Sequence, residues 1–186
     1  MDKNEIRRKI RARKSMLTHG EMFRAAANVW QQLEELAAFM VADKVLMYHS
    51  LPDELYTHDF LDKWQNKKQL FLPRVNGVNL DILPYQRTRT HLGAFRIEEP
   101  DGDDTTDVDQ MELIVVPAMA YDRKGNRVGR GKGYYDRLLS RTKALKVGVA
   151  YDCQLVDEIT VEPTDIPVDI VITESRTYVV RKSKKQ

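Results

Sequence analysis

Four apolar residues in succession, Leu113-Ile114-Val115-Val116, run directly into Pro117, and no other stretch constrains the fold as tightly. The run is too short for a buried helix and has no polar face, so it reads as a strand covered on both sides. Weaker runs of the same kind lie at Val45-Leu46-Met47-Tyr48, at Leu70-Phe71-Leu72 before Pro73, and over 78–83, 146–150 and 169–173, with an edge strand at 177–180. Between them the period changes. Residues 57–64 place Phe60, Leu61 and Trp64 along one side of a helix, and 134–139 predict another. The chain opens on a basic amphipathic helix, in which Ile6, Ile10 and Leu17 share a face among Lys3, Arg7, Arg8, Lys9, Arg11, Arg13 and Lys14. Thr18 stands three residues before Glu21, a capping-box spacing, and starts a second helix whose inward residues are Phe23, Ala26, Ala27, Trp30, Leu33 and 36–38. The stretch 98–110, with Glu98, Glu99, Asp101, Asp103, Asp104, Asp107 and Asp109, predicts a solvated loop without core residues, and 181–186 a polar tail. Short apolar strands alternating with helices specify an α/β fold with a mostly parallel sheet, whose ligands bind beyond the carboxyl ends of strands.

The 186 residues suit one domain, 1–186, with no repeat or linker to divide it. Cys153 is the sole cysteine, which excludes an intrachain disulfide and a cysteine-based zinc site. No segment approaches the ~18 apolar residues that cross a membrane, and the charged start lacks the apolar centre of a secretory signal. Thirty basic residues against 28 acidic ones leave a net charge of +2, which argues against a nucleic-acid partner despite the basic first helix. The expectation is a soluble, cytoplasmic, monomeric protein that works on small molecules, with no membrane or nucleic acid as partner.

Chemistry concentrates in residues 117–136, PAMAYDRKGNRVGRGKGYYD. Four of the nine glycines fall within 125–133, and Gly129, Gly131 and Gly133 alternate with Arg130 and Lys132 between the strongest strand and a helix. Glycines let the backbone approach a ligand, and successive exposed N–H groups form an anion nest to which a helix N-terminus adds its dipole. Arg127, Arg130 and Lys132 supply mobile charge around it. This is the pattern of a phosphate cradle, although neither a Walker A loop nor a Rossmann fingerprint is present. A flexible basic surface loop is the bland alternative.

The neighbours also have two readings each. Tyr134 and Tyr135 suit a ring-stacking wall or the packed start of a helix. Asp136 either complements a helix dipole or holds magnesium beside phosphates. Asp165, in a loop bounded by Pro163 and Pro167, is by itself a turn residue. His19, His49, His58 and His91 have no metal-ligand spacing, and there is no G-x-S-x-G elbow or nearby Cys–His pair.

The run Gly129-Arg130-Gly131-Lys132-Gly133-Tyr134-Tyr135-Asp136, with the basic start at 3–13, the segment 48–57 and the close at 154–174, resembles the signature of the 5-formyltetrahydrofolate cyclo-ligases, or methenyltetrahydrofolate synthetases. The likeness extends over nearly the whole chain. It implies a three-layer α/β sandwich with helices on both faces, and an ATP-dependent ligase. In that reaction 5-formyltetrahydrofolate and MgATP give 5,10-methenyltetrahydrofolate, ADP and phosphate through a phosphorylated formyl group. Matched by position, the resemblance puts ATP on Lys3, Arg7, Arg127, Val128, Gly129, Arg130, Gly131, Lys132, Gly133, Tyr134 and Tyr135. It puts the folate on His49, Glu54 and 130–134, and Mg2+ on Asp136 and Asp165, with Arg130 and Lys132 as the catalytic pair. The chain departs from the pattern at Ala118-Met119, where Gly-Leu is usual, and at Phe95, where Trp is frequent. The competing reading is a phosphate-binding α/β enzyme of the sugar-phosphate isomerase or acyl-transfer type, which would not consume ATP.

Overall fold

The computed structural model describes residues 1–182, so 183–186 of the expected polar tail lie outside the described residues. The helices are α1 (Lys3–Lys14), α2 (His19–Glu35), α3 (Ala37–Val41), α4 (His58–Trp64) and α5 (Tyr134–Leu139). The strands are β1 (Lys44–Leu46), β2 (Gln69–Asn76), β3 (Asn79–Pro84), β4 (Thr90–Leu92), β5 (Glu98–Pro100), β6 (Leu113–Val116), β7 (Ala120–Tyr121), β8 (Arg127–Val128), β9 (Leu145–Val149), β10 (Ile170–Ile172) and β11 (Thr177–Val179). Seven of them form one sheet in the order β11-β10-β9-β6-β1-β2-β3. The five inner strands run parallel, and β11 and β3 close the edges antiparallel. The mostly parallel sheet is therefore present, with β6 at its centre.

All four β6 side chains are fully buried, and they divide between two cores. Leu113 and Val115 pack with Val29 and Leu33 of α2, Phe39 of α3 and Leu61 of α4. Ile114 and Val116 face the other way, with Leu138 and Leu139 of α5 and with Tyr121. Burial of each such side chain is worth about 1.5–3 kcal/mol, and a slip of one residue would exchange the two sets, so the register is strongly specified. These are the three layers: α2, α3 and α4, then the sheet, then α5. Gly148 on β9 is required by packing, because a Cβ there would lie 2.5 Å from the Tyr121 ring.

Helix α1 stands apart from both layers. Ile6 and Ile10 pack on Met119, Ala120 and Val128, so α1 covers the β7–β8 hairpin. Met119, which replaces the usual Leu, is 1% exposed there and belongs to the packing. Leu17 lies beyond the helix end and packs on the first core instead.

Several expectations need correction. The capping box of α2 forms, but its buried stripe is Ala25, Ala26, Val29, Trp30 and Leu33, while Phe23 and Ala27 are exposed. Strand β2 continues through Pro73, because β1 stops pairing at Phe71 and only β3 accompanies the remainder. The acidic stretch is not a bare loop. Glu98–Pro100 pairs with Thr90–Leu92, buried Glu99 accepts from the Val75 N–H at 3.2 Å, and Val108 anchors a 3-10 turn in the second core. A single backbone donor and a single apolar anchor overrode the local charge density. Among the described residues no helix is long and apolar enough to cross a membrane.

Candidate functional site

A cleft of about 1000 Å³ opens where the chain leaves β1 and β6, and every residue expected in the site lines it except Val128. Val128 is fully buried beneath α1, and its carbonyl accepts from the Met119 N–H at 2.7 Å. Its contribution is to the platform on which the loop rests.

The glycine loop leaves β8 and enters α5. Gly131 has φ +100° and Gly133 φ +70°, both in the left-handed region that side chains disfavour, and the alternation leaves Arg130 and Lys132 exposed between them. Helix α5 has fewer than two turns, so its dipole adds less than the sequence suggested; the positive potential comes mainly from side chains. Helix α1 holds the loop from above. The Arg7 Nε donates to the Gly129 carbonyl at 2.7 Å, and Lys3 Nζ donates to Asp165 Oδ2 at 2.6 Å. The apolar face of α1 packs on the hairpin while two residues of its basic face reach the cleft.

Arg127 is the least satisfied charge here. Its side chain is only 6% exposed, its Nε has no partner, and Nη2 stands 3.6 Å from Asp136 Oδ1. Nη1 makes a long bond to the Pro117 carbonyl at 3.4 Å, and the guanidinium lies 5.4 Å from the Tyr135 ring centroid. A buried, under-paired cation is costly unless an anion completes it. This residue fits a phosphate-bearing ligand.

Asp136 reaches the loop that carries Asp165, which their separation in sequence concealed. Asp136 Oδ1 accepts from the Ile166 N–H at 3.1 Å, and Asp165, the preceding residue, accepts from the Glu162 N–H at 2.9 Å. Burial alone would raise the Asp165 pKa, but the Lys3 and Glu162 hydrogen bonds and the Lys3 and Arg127 charges hold it below its ordinary value. Among the described residues no group of three or more His, Cys, Asp or Glu side chains could hold a metal. Two carboxylates do fit magnesium, which takes the rest of its shell from phosphate oxygens and water.

His49, Glu54, Phe95 and Tyr134 also line the cleft. The His49 ring stacks on His58 with centroids 4.0 Å apart, and burial, then the His58 charge, lowers its pKa to about 4, so it is neutral near pH 7. Glu54 Oε1 accepts from the Leu51 N–H at 2.9 Å, and burial raises the carboxyl pKa against the Leu51 bond and the Arg130 charge. Tyr134 packs on the second core, as the packed start of a helix would, and it also lines the cleft. Phe95, in the place of the frequent Trp, is exposed at φ +57° with its ring edge-on to Tyr134 at 6.5 Å.

Three residues escaped the sequence reading. Buried Asp122 accepts from the Lys124, Asn126 and Ile159 N–H groups and so shapes the turn into β8; its signal was the Asp-x-x-Gly spacing to Gly125. Lys14 and Asp53 form an ion pair of 2.9 Å beside the cleft, and no motif marked either.

The 5-formyltetrahydrofolate cyclo-ligase family model matches residues 1–174. The 5-formyltetrahydrofolate cyclo-ligase of Escherichia coli strain K12 is 30% identical over 179 residues, covering 91% of this chain and 98% of the relative. The solution structure of Aquifex aeolicus 5,10-methenyltetrahydrofolate synthetase superposes with a TM-score of 0.90 at 34% identity, over 100% of this chain and 96% of that one. The synthetase of Mycoplasma pneumoniae, at 22% identity and a TM-score of 0.76 over 94% of this chain and 99% of that one, shares the fold.

Proposed function

The chain belongs to the 5-formyltetrahydrofolate cyclo-ligase family and is thus a ligase, and from that premise we propose that its whole length acts as one unit converting 5-formyltetrahydrofolate and ATP to 5,10-methenyltetrahydrofolate, ADP and phosphate. The observation that carries this reading is the shared cleft. An under-paired buried cation, a glycine loop and two carboxylates line it together with neutral His49 and the carboxyl of Glu54, and Arg130 Nη2 stands 3.7 Å from Glu54 Oε2.

A formyl amide oxygen is a poor leaving group, and phosphorylation makes it a good one. The formyl oxygen attacks the γ-phosphorus and the bond to ADP breaks. The second folate nitrogen then attacks the formyl carbon and loses its proton, the C–O bond breaks, and phosphate departs with the former formyl oxygen. Lys3, Arg7 and Arg127 bind and orient the nucleotide, with the loop N–H groups facing its phosphates. Arg130 and Lys132 meet the charge that spreads over the equatorial oxygens during transfer. Glu54 accepts from the donor-rich edge of the pterin, and neutral His49 lies against the folate without competing for phosphate. Magnesium held by Asp136 and Asp165 would neutralise phosphate charge. Closure of the cleft around both ligands would keep water from the activated formyl group.

The test is the absorbance of methenyltetrahydrofolate formed from 5-formyltetrahydrofolate with and without MgATP. Product that appears only with MgATP supports the reading; none under either condition refutes it. Phosphate-ligand binding without ATP consumption would restore the isomerase or acyl-transfer alternative.

A further inference from the structure

We propose that Asp53 is a positioning residue that sets the place of the Arg130 guanidinium, with the buried Lys14 ammonium as its anchor; this rests on the function proposed above. Lys14 closes α1, and its side chain is 5% exposed. Its Nζ donates to Asp53 Oδ2 at 2.9 Å and to the Asp53 carbonyl at 3.0 Å, so one buried ammonium fixes both the side chain and the backbone of Asp53. A buried ammonium needs such acceptors, and a half-exposed loop aspartate would otherwise be free to turn away.

The other carboxylate oxygen faces the glycine loop. Asp53 Oδ1 accepts from Arg130 Nη2 at 3.1 Å, and Glu54 Oε2 stands 3.7 Å from the same nitrogen. Among the described residues no other acceptor lies within hydrogen-bond distance of Arg130. Its backbone neighbours are glycines, one at φ +100°, and its side chain is 43% exposed, so the Asp53 hydrogen bond and the longer Glu54 ion pair are what restrain it. Asp53 takes one corner of the guanidinium fork and leaves the opposite edge to meet phosphoryl oxygens. One aspartate thereby ties the end of α1, the loop after β1 and the glycine loop into a single arrangement. Burial works against its ionisation, but Lys14 and Arg130 hold its pKa below the ordinary value.

This placement predicts a split that a merely structural residue would not produce. Losing the carboxylate frees Arg130 to follow the ground-state nucleotide, so ATP should bind severalfold tighter through Arg130. The same loss costs the aim of the guanidinium in the transition state, where small misplacements cost on the order of ten- to a hundredfold in kcat. The experiment measures kcat and calorimetric ATP affinity for Asp53→Asn, Lys14→Met, Arg130→Ala and Asp53→Asn with Arg130→Ala. Asp53→Asn should bind ATP more tightly and turn over more slowly, Lys14→Met should lower kcat likewise, and Asp53→Asn should add nothing in the Arg130→Ala background. Asp53→Ser is the second variant if Asp53→Asn folds poorly. An equal effect with and without Arg130, or ATP affinity falling together with kcat, overturns the proposal. If the wild-type protein made no methenyltetrahydrofolate, the proposed function would fail alone. Tighter ATP binding by Asp53→Asn that vanishes in the Arg130→Ala background would still uphold the placement, and unchanged affinity would sink it.

Discussion

Replacing Arg127 by Met should leave the unliganded protein as stable as before, or more stable, while abolishing most of its ATP affinity. In the wild type the guanidinium is buried, one N–H is unpaired, and the nearest carboxylate oxygen is at 3.6 Å, too far for a hydrogen bond. The unpaired donor alone costs about 1–3 kcal/mol, and an apolar replacement of a poorly compensated buried ion is neutral or stabilising by about 1–4 kcal/mol. Against this, the variant loses the stacking on Tyr135, worth about 0.5–2 kcal/mol, and the long bond to Pro117. The balance is roughly zero to +2 kcal/mol, or a rise of up to about 8 °C in melting temperature for a chain of this size. Each lost charge-assisted bond to a phosphate costs about 1.5–3 kcal/mol, so ATP should bind at least tenfold more weakly. Thermal melts with and without MgATP, followed by calorimetry, read both effects. A fall of more than about 5 °C in the unliganded melt would show the charge already satisfied by the protein, and wild-type ATP affinity would remove Arg127 from the nucleotide site. Either outcome would refute the reasoning.

Arg130→Lys should keep much of the ATP affinity and lose on the order of 2.7–4 kcal/mol of transition-state stabilisation, a hundred- to thousandfold in kcat; near-normal kcat with weakened ATP binding would pass the role to Lys132. Asp136→Asn keeps an acceptor for the Ile166 N–H, so its melt should change little while its magnesium titration shifts to far higher concentrations; an unchanged titration removes Asp136 from the metal. Gly148→Ala drives a methyl into Tyr121 and should cost about 1–3 kcal/mol, readable in urea unfolding. Asp165 has a folded-state pKa below its unfolded one, so its contribution is complete above about pH 5 and fades as pH falls through the lowered value. Lys3→Met should flatten that acid limb in unfolding measured across pH, and an unaltered limb would show that Lys3 is not its cause.

How much was legible from the residues depended on whether a signal was local and periodic. Leu113-Ile114-Val115-Val116 declared a central strand because four apolar residues in a row fit no other buried element, and the sheet is built around them. The apolar stripe of α1 was equally plain, but what it covers was not, since Met119, Ala120 and Val128 lie more than a hundred residues away. Glu99 and Val108 were lost in a run of carboxylates, because charge density reports average exposure and says nothing of one residue beside one backbone donor. The glycine loop was readable as a motif, while the meeting of Asp136 with the Asp165 loop depends on the β9–β10 connection folding back to α5. Lys14 looked like one more solvated cation of a basic helix, and no motif marked Asp53; only their contact makes them informative.

The central claim is that this cleft activates the formyl oxygen by phosphorylating it, and isotope transfer tests it most directly. The measurement starts from 5-formyltetrahydrofolate carrying oxygen-18 in the formyl group and follows the label by mass spectrometry after turnover with MgATP. The account predicts one labelled oxygen in each inorganic phosphate released and none in ADP. Unlabelled phosphate, with the heavy oxygen appearing in water, would mean that ATP is hydrolysed beside the folate and not through it, and the proposed chemistry would be wrong.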